Sequence, residues 1–443
     1  MNASDVQIAR EPAGVACRTP VMPPRVYSCA NAPLRVELVG DFDQVSALRS
    51  QWDDLALRSG GDVFSTFDWC REWWRVFGVA NRELRLCLGW RGERLVGILP
   101  LFWERLSWGP FSLRVMRLIG GEHPFSKAAF AMEKADARAF LSCVFGHAMD
   151  DWDVIYLGEL PGHRDGFDEM AGALRELSDV GMVIANAEAY PHMVFDVPES
   201  MDDWLSSLSL KERRNVRRDL RELEVNGDAV DLAKCGVPTA AAVNELIRLH
   251  AEQWRRQGRL GQFGDWRGCE AFTQAVVQRL AECDRAFLHQ VHKNDVLMAT
   301  ELSYRFGDRL HWIIGGRADG VTSRVGFSAL MRTCVESGIR LIDAMGGLFD
   351  YKRRLGARVI HIKTITAISN RSGSEARWRR FRAATAAVDV PYFRGWQWRL
   401  QPALLRILPH WFHSLLGRPM WRRYARSKFV LIREGRQQQG DES

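Results

Sequence analysis

Apolar and polar positions change period several times along the chain, and the clearest succession runs from Phe287 to Gly356. FLHQVHKNDVLMATELSYRF reads as two strands broken at Lys293-Asn294-Asp295. RLHWIIGG is a third strand after Gly307-Asp308, a two-residue hairpin signal. The polar loop RADGVTSRVGF leads into SALMRTCVESG, where Ala329, Leu330, Cys334 and Val335 recur at helix spacing and Gly338 supplies a stop. RLIDAMGG is a short strand again. Strand, loop and helix in that order aim amide N–H groups and the positive end of a helix at the loop, a place suited to an anion.

The earlier sequence has the same grammar. Leu34 to Val39 alternates as a strand, and Val45, Leu48, Trp52 and Leu55 mark a helical face. FSTFDWCREWWRVFG predicts a helix stopped by Gly78, and LRLCLGWRGERLVGILPLFWERL a hairpin turning at Arg91-Gly92. VMRLIGG and WDVIYLGEL are further strands with a helix between them. This alternation predicts an α/β fold with mixed sheets, in which the order β-α-α-β-β-β-α-β-α-β occurs loosely twice. The expected units are a disordered leader over residues 1–33, an N-terminal half over 34–200, a C-terminal half over 201–370 and a basic helical tail over 371–443.

Composition narrows the class. No apolar run is long enough to span a membrane as a helix, and the first twenty residues lack a signal-peptide core. Nine cysteines without a C-x-x-C pair read as reduced thiols, so a cytoplasmic protein is expected. The net charge of +7 is unevenly spread, because residues 371–443 hold 15 Lys/Arg against 5 Asp/Glu. An anionic partner is therefore to be sought there first. In that tail Leu404, Leu405, Leu408, Trp411, Phe412, Leu415 and Leu416 recur at helix spacing among arginines. The pattern suits peripheral contact with an inner-membrane surface, or packing on the body. A second basic feature is the stripe Arg214, Arg217, Arg218 and Arg221. It suits phosphates or nucleic acid, or a solvated face balanced by Asp219, Glu222 and Glu224. No H-E-x-x-H, G-x-S-x-G or phosphate-binding P-loop appears, and no metal site is expected.

Ser323-Arg324-Val325-Gly326 opening the helix, Asp343 through Gly347, and Tyr351-Lys352 together resemble the GNAT superfamily of acyltransferases. SLSLKERRNVRRDLRELE, LHAEQWRRQGRLGQF and the Phe64–Trp74 stretch extend the likeness over residues 34 to 370. More narrowly, the chain is similar to BioF2-like acetyltransferase proteins, the group containing CelD/BcsL-type cellulose-biosynthesis proteins and related to FemAB-like enzymes. The resemblance implies tandem GNAT-like halves and transfer of an acyl group, acetyl above all, from an acyl-CoA to an amine or hydroxyl. It implies a small-molecule, sugar or peptide acceptor in polysaccharide or cell-envelope production. An aminoacyl-tRNA donor, or a non-catalytic accessory role, are its other implications. DNA is not an expected partner.

The candidate residues follow from that chemistry. Arg317, Gly320, Ser323, Arg324, Val325 and Gly326 are the expected phosphate cradle for the coenzyme. Glu301, mid-strand and expected opposite Ile314 on the face of Ser303 and Trp312, is a base for the acceptor proton. His311 and Tyr304, opposed on the other face, form an alternative acid/base or substrate-binding pair. Lys352 and Tyr351 belong to the family-like signature, with Lys352 placed to steady a thioester carbonyl or a carrier phosphate. Asp343 either joins them or anchors its loop by accepting backbone N–H bonds. His250 and Trp254, four apart on one helix, either line the acceptor pocket or, for His250, fill the core.

Overall fold

A computed structural model describes residues 23–29, 33–79, 81–108, 110–121, 126–147, 151–225, 238–266, 268–293, 296–321 and 323–408. The alternating segments of the first half form β1 (Arg25–Ser28), β2 (Arg35–Val39), β3 (Arg82–Arg91), β4 (Arg94–Trp108), β5 (Phe111–Leu118), β6 (Ala131–Met132), β7 (Val154–Leu160) and β8 (Val180–Asp196). Helices α1 (Arg49–Arg58) and α2 (Phe67–Phe77) precede β3, α3 (Ala137–His147) precedes β7, and α4 (Phe167–Arg175) precedes β8.

The second half opens with α5 (Met201–Ser207), α6 (Leu210–Val225), α7 (Ala240–Arg256), α8 (Gly261–Asp265) and α9 (Cys269–Ala281). It continues through β9 (Ala286–Lys293), β10 (Val296–Phe306), β11 (Arg309–Arg317), α10 (Ser323–Glu336), β12 (Leu341–Gly346), α11 (Asp350–Arg354) and β13 (Arg358–Ser369). After it come α12 (Ser374–Pro391), a π-helical stretch over Tyr392–Leu400, and α13 (Gln401–Leu405).

All strands join one mixed sheet in the order β1-β2-β3-β4-β5-β7-β13-β8-β12-β11-β10-β9, with β6 beside β4. The last strands of the halves are exchanged. β13 lies against β7, and β8 lies against β12, each antiparallel. One core therefore serves both halves, with the ring of Trp69 edge-on to that of Phe272 at 5.6 Å.

One expectation about the termini changes, and for the first part of the tail one of the two alternatives is seen. Within the expected leader, Arg25–Ser28 pairs with β2 and is part of the sheet. The first part of the tail packs on the body, because Trp378 and Phe381 of α12 are buried against Leu106, Val115 and Tyr156. The apolar stripe beyond Leu408 lies outside the described residues. Among the described residues no helix is long and apolar enough to cross a membrane.

Each half contains a parallel strand pair that parts early. β5 and β7 pair only over Val115–Arg117 and Val154–Tyr156, and β11 and β12 only over Arg309–His311 and Leu341–Asp343. Beyond the parting, each half turns one non-glycine residue to positive φ: Glu159 at 58° and Met345 at 59°.

Candidate active site

Past His311 and Asp343 the pairing of β11 and β12 ends, leaving a slot between the two strand edges with Trp312 next on one and Ala344 next on the other. Lys352 spans it. Its Nζ donates to the Ala344 carbonyl at 2.7 Å and lies 5.6 Å from the Trp312 ring centroid and 4.6 Å from that of Phe349. The ammonium thus occupies a carbonyl that ladder pairing would otherwise satisfy, and two aromatic faces help hold the charge.

Glu301 stands at the inner end of this slot, 1% exposed. Its Oε2 accepts from Trp312 Nε1 at 2.8 Å. Its Oε1 has no hydrogen-bond partner among the described residues, and Arg317 Nη1 lies 3.9 Å from it. Burial pushes the Glu301 carboxyl above the usual range, against the opposing pull of Arg317, the Trp312 bond and Lys352. A free oxygen on a buried carboxyl with a raised pKa is the equipment of a proton acceptor.

A bulge decides where Glu301 points. Ile313 is an extra residue on β11, so Leu302 pairs with Ile314 while Ser303 pairs with Trp312. Glu301 therefore faces Gly315 and not Ile314. The glycine is required by contact: a Cβ there would lie 1.8 Å from Glu301 Oε2. At Gly316 a Cβ would lie 2.5 Å from the backbone nitrogen of His250, so α7 crosses β11 closely at the same point. A pair of glycines inside a strand is the signal that could have announced both approaches.

The comparisons with known proteins centre on this slot. Residues 211–353 match the family model of the acetyltransferase (GNAT) domain. The match spans Glu301, Arg317, Asp343 and Lys352. Among solved structures, FemX shares the fold at TM-score 0.50 and 12% identity, over 72% of this chain and 95% of that one. The C-terminal domain of a putative lysylphosphatidylglycerol synthetase from Agrobacterium fabrum aligns at TM-score 0.40 and 10% identity, over 77% of this chain and 96% of that one. A GCN5-related N-acetyltransferase from Kribbella flavida aligns at TM-score 0.30 and 14% identity, over 74% and 70%. No curated protein matches the sequence.

Within the matched segment the expected phosphate cradle is only partly available. Arg324 turns away from the loop, its Nε donating to Asp219 at 2.6 Å and its Nη1 lying 3.8 Å from Glu212. Two buried carboxylates on α6 outcompete a solvent-facing position for that guanidinium. Val325 packs toward Val291 and Ala299, and Gly326 backs onto Glu301, where a Cβ would stand 3.2 Å from Cγ. Arg317 points to Glu301 as described. Gly320 is exposed at φ +76° with open space around it, and Ser323 begins α10. The open part of the loop is thus Gly320 and the first backbone amides of α10.

Other candidates separate by face. His311 and Tyr304 do oppose each other, but on the sheet face away from Glu301 and Trp312. Tyr304 sits in the shared core, and burial pushes its hydroxyl pKa up. The His311 ring is edge-on to Phe64 at 4.9 Å, with no hydrogen-bond partner at either nitrogen among the described residues. These two residues therefore do not line the slot beside Glu301. His250 is a core residue with both nitrogens used. Nδ1 bonds the Gly315 carbonyl at 2.8 Å, so it carries the proton, and Nε2 accepts from Gln262 N at 3.1 Å. Burial lowers its pKa to about 4. The Trp254 ring lies tilted to it at 5.8 Å, partly buried, and Tyr351 packs beside Phe349 on the α10 side of the core.

Asp343 is an anchor. It is fully buried, it pairs with Lys127 of the first half, and its Oδ1 accepts from Met345 N at 2.9 Å. Burial acts against its charge, but Lys127, followed by His311 and His192, holds its carboxyl far below the usual range. Sequence reasoning passed over Lys127, which sits in the featureless run SKAAF. It also passed over His289, the residue directly across β9 from Glu301 and 3% exposed. Cross-strand alternation carries the signal for His289; nothing local signals Lys127. Among the described residues no three metal-ligating side chains are grouped.

Proposed function

We propose that this chain is an acyltransferase whose slot between β11 and β12 takes an acyl-CoA thioester and passes the acyl group to an amine or hydroxyl. A sugar, peptide or envelope-precursor acceptor fits the reading. The observation that carries it is the meeting of Glu301, Trp312 and Lys352 where the two strands part. The thioester arm lies along the parted strand edges, with its amides on groups such as the Ala344 carbonyl. Lys352, displaced from that carbonyl, faces the oxygen on which negative charge develops. The acceptor nitrogen or oxygen attacks the thioester carbon and gives its proton to Glu301 Oε1. The C–S bond breaks, and the proton passes to the departing sulfur, leaving Glu301 ionised. The amides at the start of α10 and the turn at Gly320 take the diphosphate.

The test is calorimetric titration of the full chain with acetyl-CoA, followed by exchange mass spectrometry of residues 317–327. Saturable binding with protection of that loop supports the reading; no heat and no protection removes it.

One observation favours a second donor. On α6 the side chains of Arg214, Arg217, Arg218 and Arg221 are exposed, while Glu212 and Asp219 point inward to Arg324. Arg218 also reaches Asp219 at 3.5 Å, and the exposed stripe suits a polyanion such as an aminoacyl-tRNA donor. Binding of tRNA with a steep salt dependence, lost on replacing these arginines, would favour that reading over the thioester one.

A further inference from the structure

The two halves differ at their strand partings. In the second half the slot is spanned by a side chain, Lys352. In the first half the corresponding gap is filled by the chain itself. Ala128 N donates to the Glu159 carbonyl on β7 at 3.0 Å, and Ala129 N donates to the Ile119 carbonyl just past β5 at 2.8 Å. The next residues, Ala131 and Met132, pair with Ile98 and Gly97 of β4. Residues 128–132 thus satisfy both separated strand edges, and Ala128, Ala129 and Phe130 are buried there. Backbone groups that a bound arm would use are already bonded.

The same segment carries Lys127, whose side chain is fully buried and ends on Asp343 across the boundary between the halves. From there a continuous run of contacts reaches the slot. Asp343 Oδ1 accepts from Met345 N at 2.9 Å, at the residue with φ 59° where β12 leaves its partner. The intervening Ala344 presents its carbonyl to Lys352 Nζ at 2.7 Å. Lys352 lies over Trp312, and Trp312 Nε1 holds Glu301 at 2.8 Å.

We infer that the first half is a closed copy of the transferase unit, and that its slot-filling segment works as a strut in which Lys127 positions the open slot of the second half through Asp343. Lys127 is a positioning residue, touching neither donor nor acceptor. Its ammonium keeps Asp343 ionised and in place, and Asp343 in turn fixes the turn at Met345. The catalytic consequence rests on the function proposed above; the structural link does not.

The experiment compares two double variants of the full chain. Both remove the buried charge pair, because removing one partner alone strands a buried charge and threatens folding. Lys127→Met with Asp343→Asn retains an oxygen that accepts from Met345 N. Lys127→Met with Asp343→Leu does not. Because both variants lack the Lys127 ammonium, the strut account expects hydrogen exchange over residues 344–352 at least about fivefold faster than the parent in the Asn variant, and about fivefold faster again in the Leu variant, with the β3–β4 hairpin unchanged in both. Turnover falls in the same order. An Asn variant that exchanges within about twofold of the parent overturns Lys127 as the strut, and two variants that exchange alike overturn the link through Met345 N. Titration with acetyl-CoA gives the second arm: one equivalent per chain supports a closed first half, and two overturn it. No binding at all removes the proposed function, while the exchange contrast still decides the strut.

Discussion

Trp312 Nε1 donates to Glu301 Oε2 at 2.8 Å inside a site where both residues are buried. An N–H bond to the ionised form favours that form, so Trp312 offsets part of the desolvation that raises the carboxyl. Trp312→Phe keeps an aromatic ring over Lys352 and removes the donor. The Glu301 pKa should rise further. The acid limb of the pH–rate profile then moves to higher pH, because the ionised carboxyl has lost a donor. A limb that stays in place, or moves down, argues against Glu301 as the titrating group.

Glu301→Gln removes the proton acceptor at nearly constant volume. The rate should fall by roughly 10²–10⁴, the contribution of a positioned base. The acid limb should vanish with it, and donor affinity should change little. Steady-state kinetics with acetyl-CoA and a small amine panel measure all three.

Gly315→Ala tests the bulge. The added methyl meets Glu301 Oε2 at 1.8 Å, so the carboxylate must swing away and give up its bond to Trp312. A loss of roughly 1–3 kcal/mol is expected from overpacking. Glu301→Ala in the same chain should recover most of it, so thermal melts of the two single variants and the double should be strongly non-additive.

The exposed arginines of α6 separate the donors. Replacing Arg214, Arg217, Arg218 and Arg221 together by Ser should leave turnover of acetyl-CoA within about twofold, because none of them faces the slot; these exposed charges are screened at physiological salt. A fall of tenfold or more would mean that the stripe serves the thioester donor, whereas loss of tRNA binding with acetyl-CoA turnover intact would assign it to the tRNA reading.

Buried histidines set the acid stability. Burial lowers His192 to about 3, and His250, His289 and His311 to about 4. Their unfolded values lie near 6.5. Between those limits the unfolded chain binds protons that the folded chain refuses, so stability is complete above about pH 6.5 and declines as pH falls toward 4. Each histidine contributes a slope approaching about 1.4 kcal/mol per pH unit in that window. Tm should drop on going from about pH 7 to 5, and His289→Gln should flatten the dependence. A Tm that is level across that range would contradict the burial of these rings.

Hydrophobic period alone determined the α/β character, the order of strands and helices, and the hairpins and crossover helix around Glu301. These are properties of neighbours in sequence, because side-chain alternation and helix spacing are local. The Gly315-Gly316 pair could have marked a close approach, without saying what approached. Only the tertiary structure decided the rest. A single extra residue, Ile313, turned Glu301 from Ile314 to Gly315. Arg324 was drawn from the loop by acids more than a hundred residues earlier on α6. Exchange of β8 and β13 merged two halves into one sheet and brought Lys127 to Asp343, 216 positions apart. The physical reason is common to all three. Which partner a buried charge or a parted strand edge finds depends on competition among groups brought together by folding, and no local pattern records that competition.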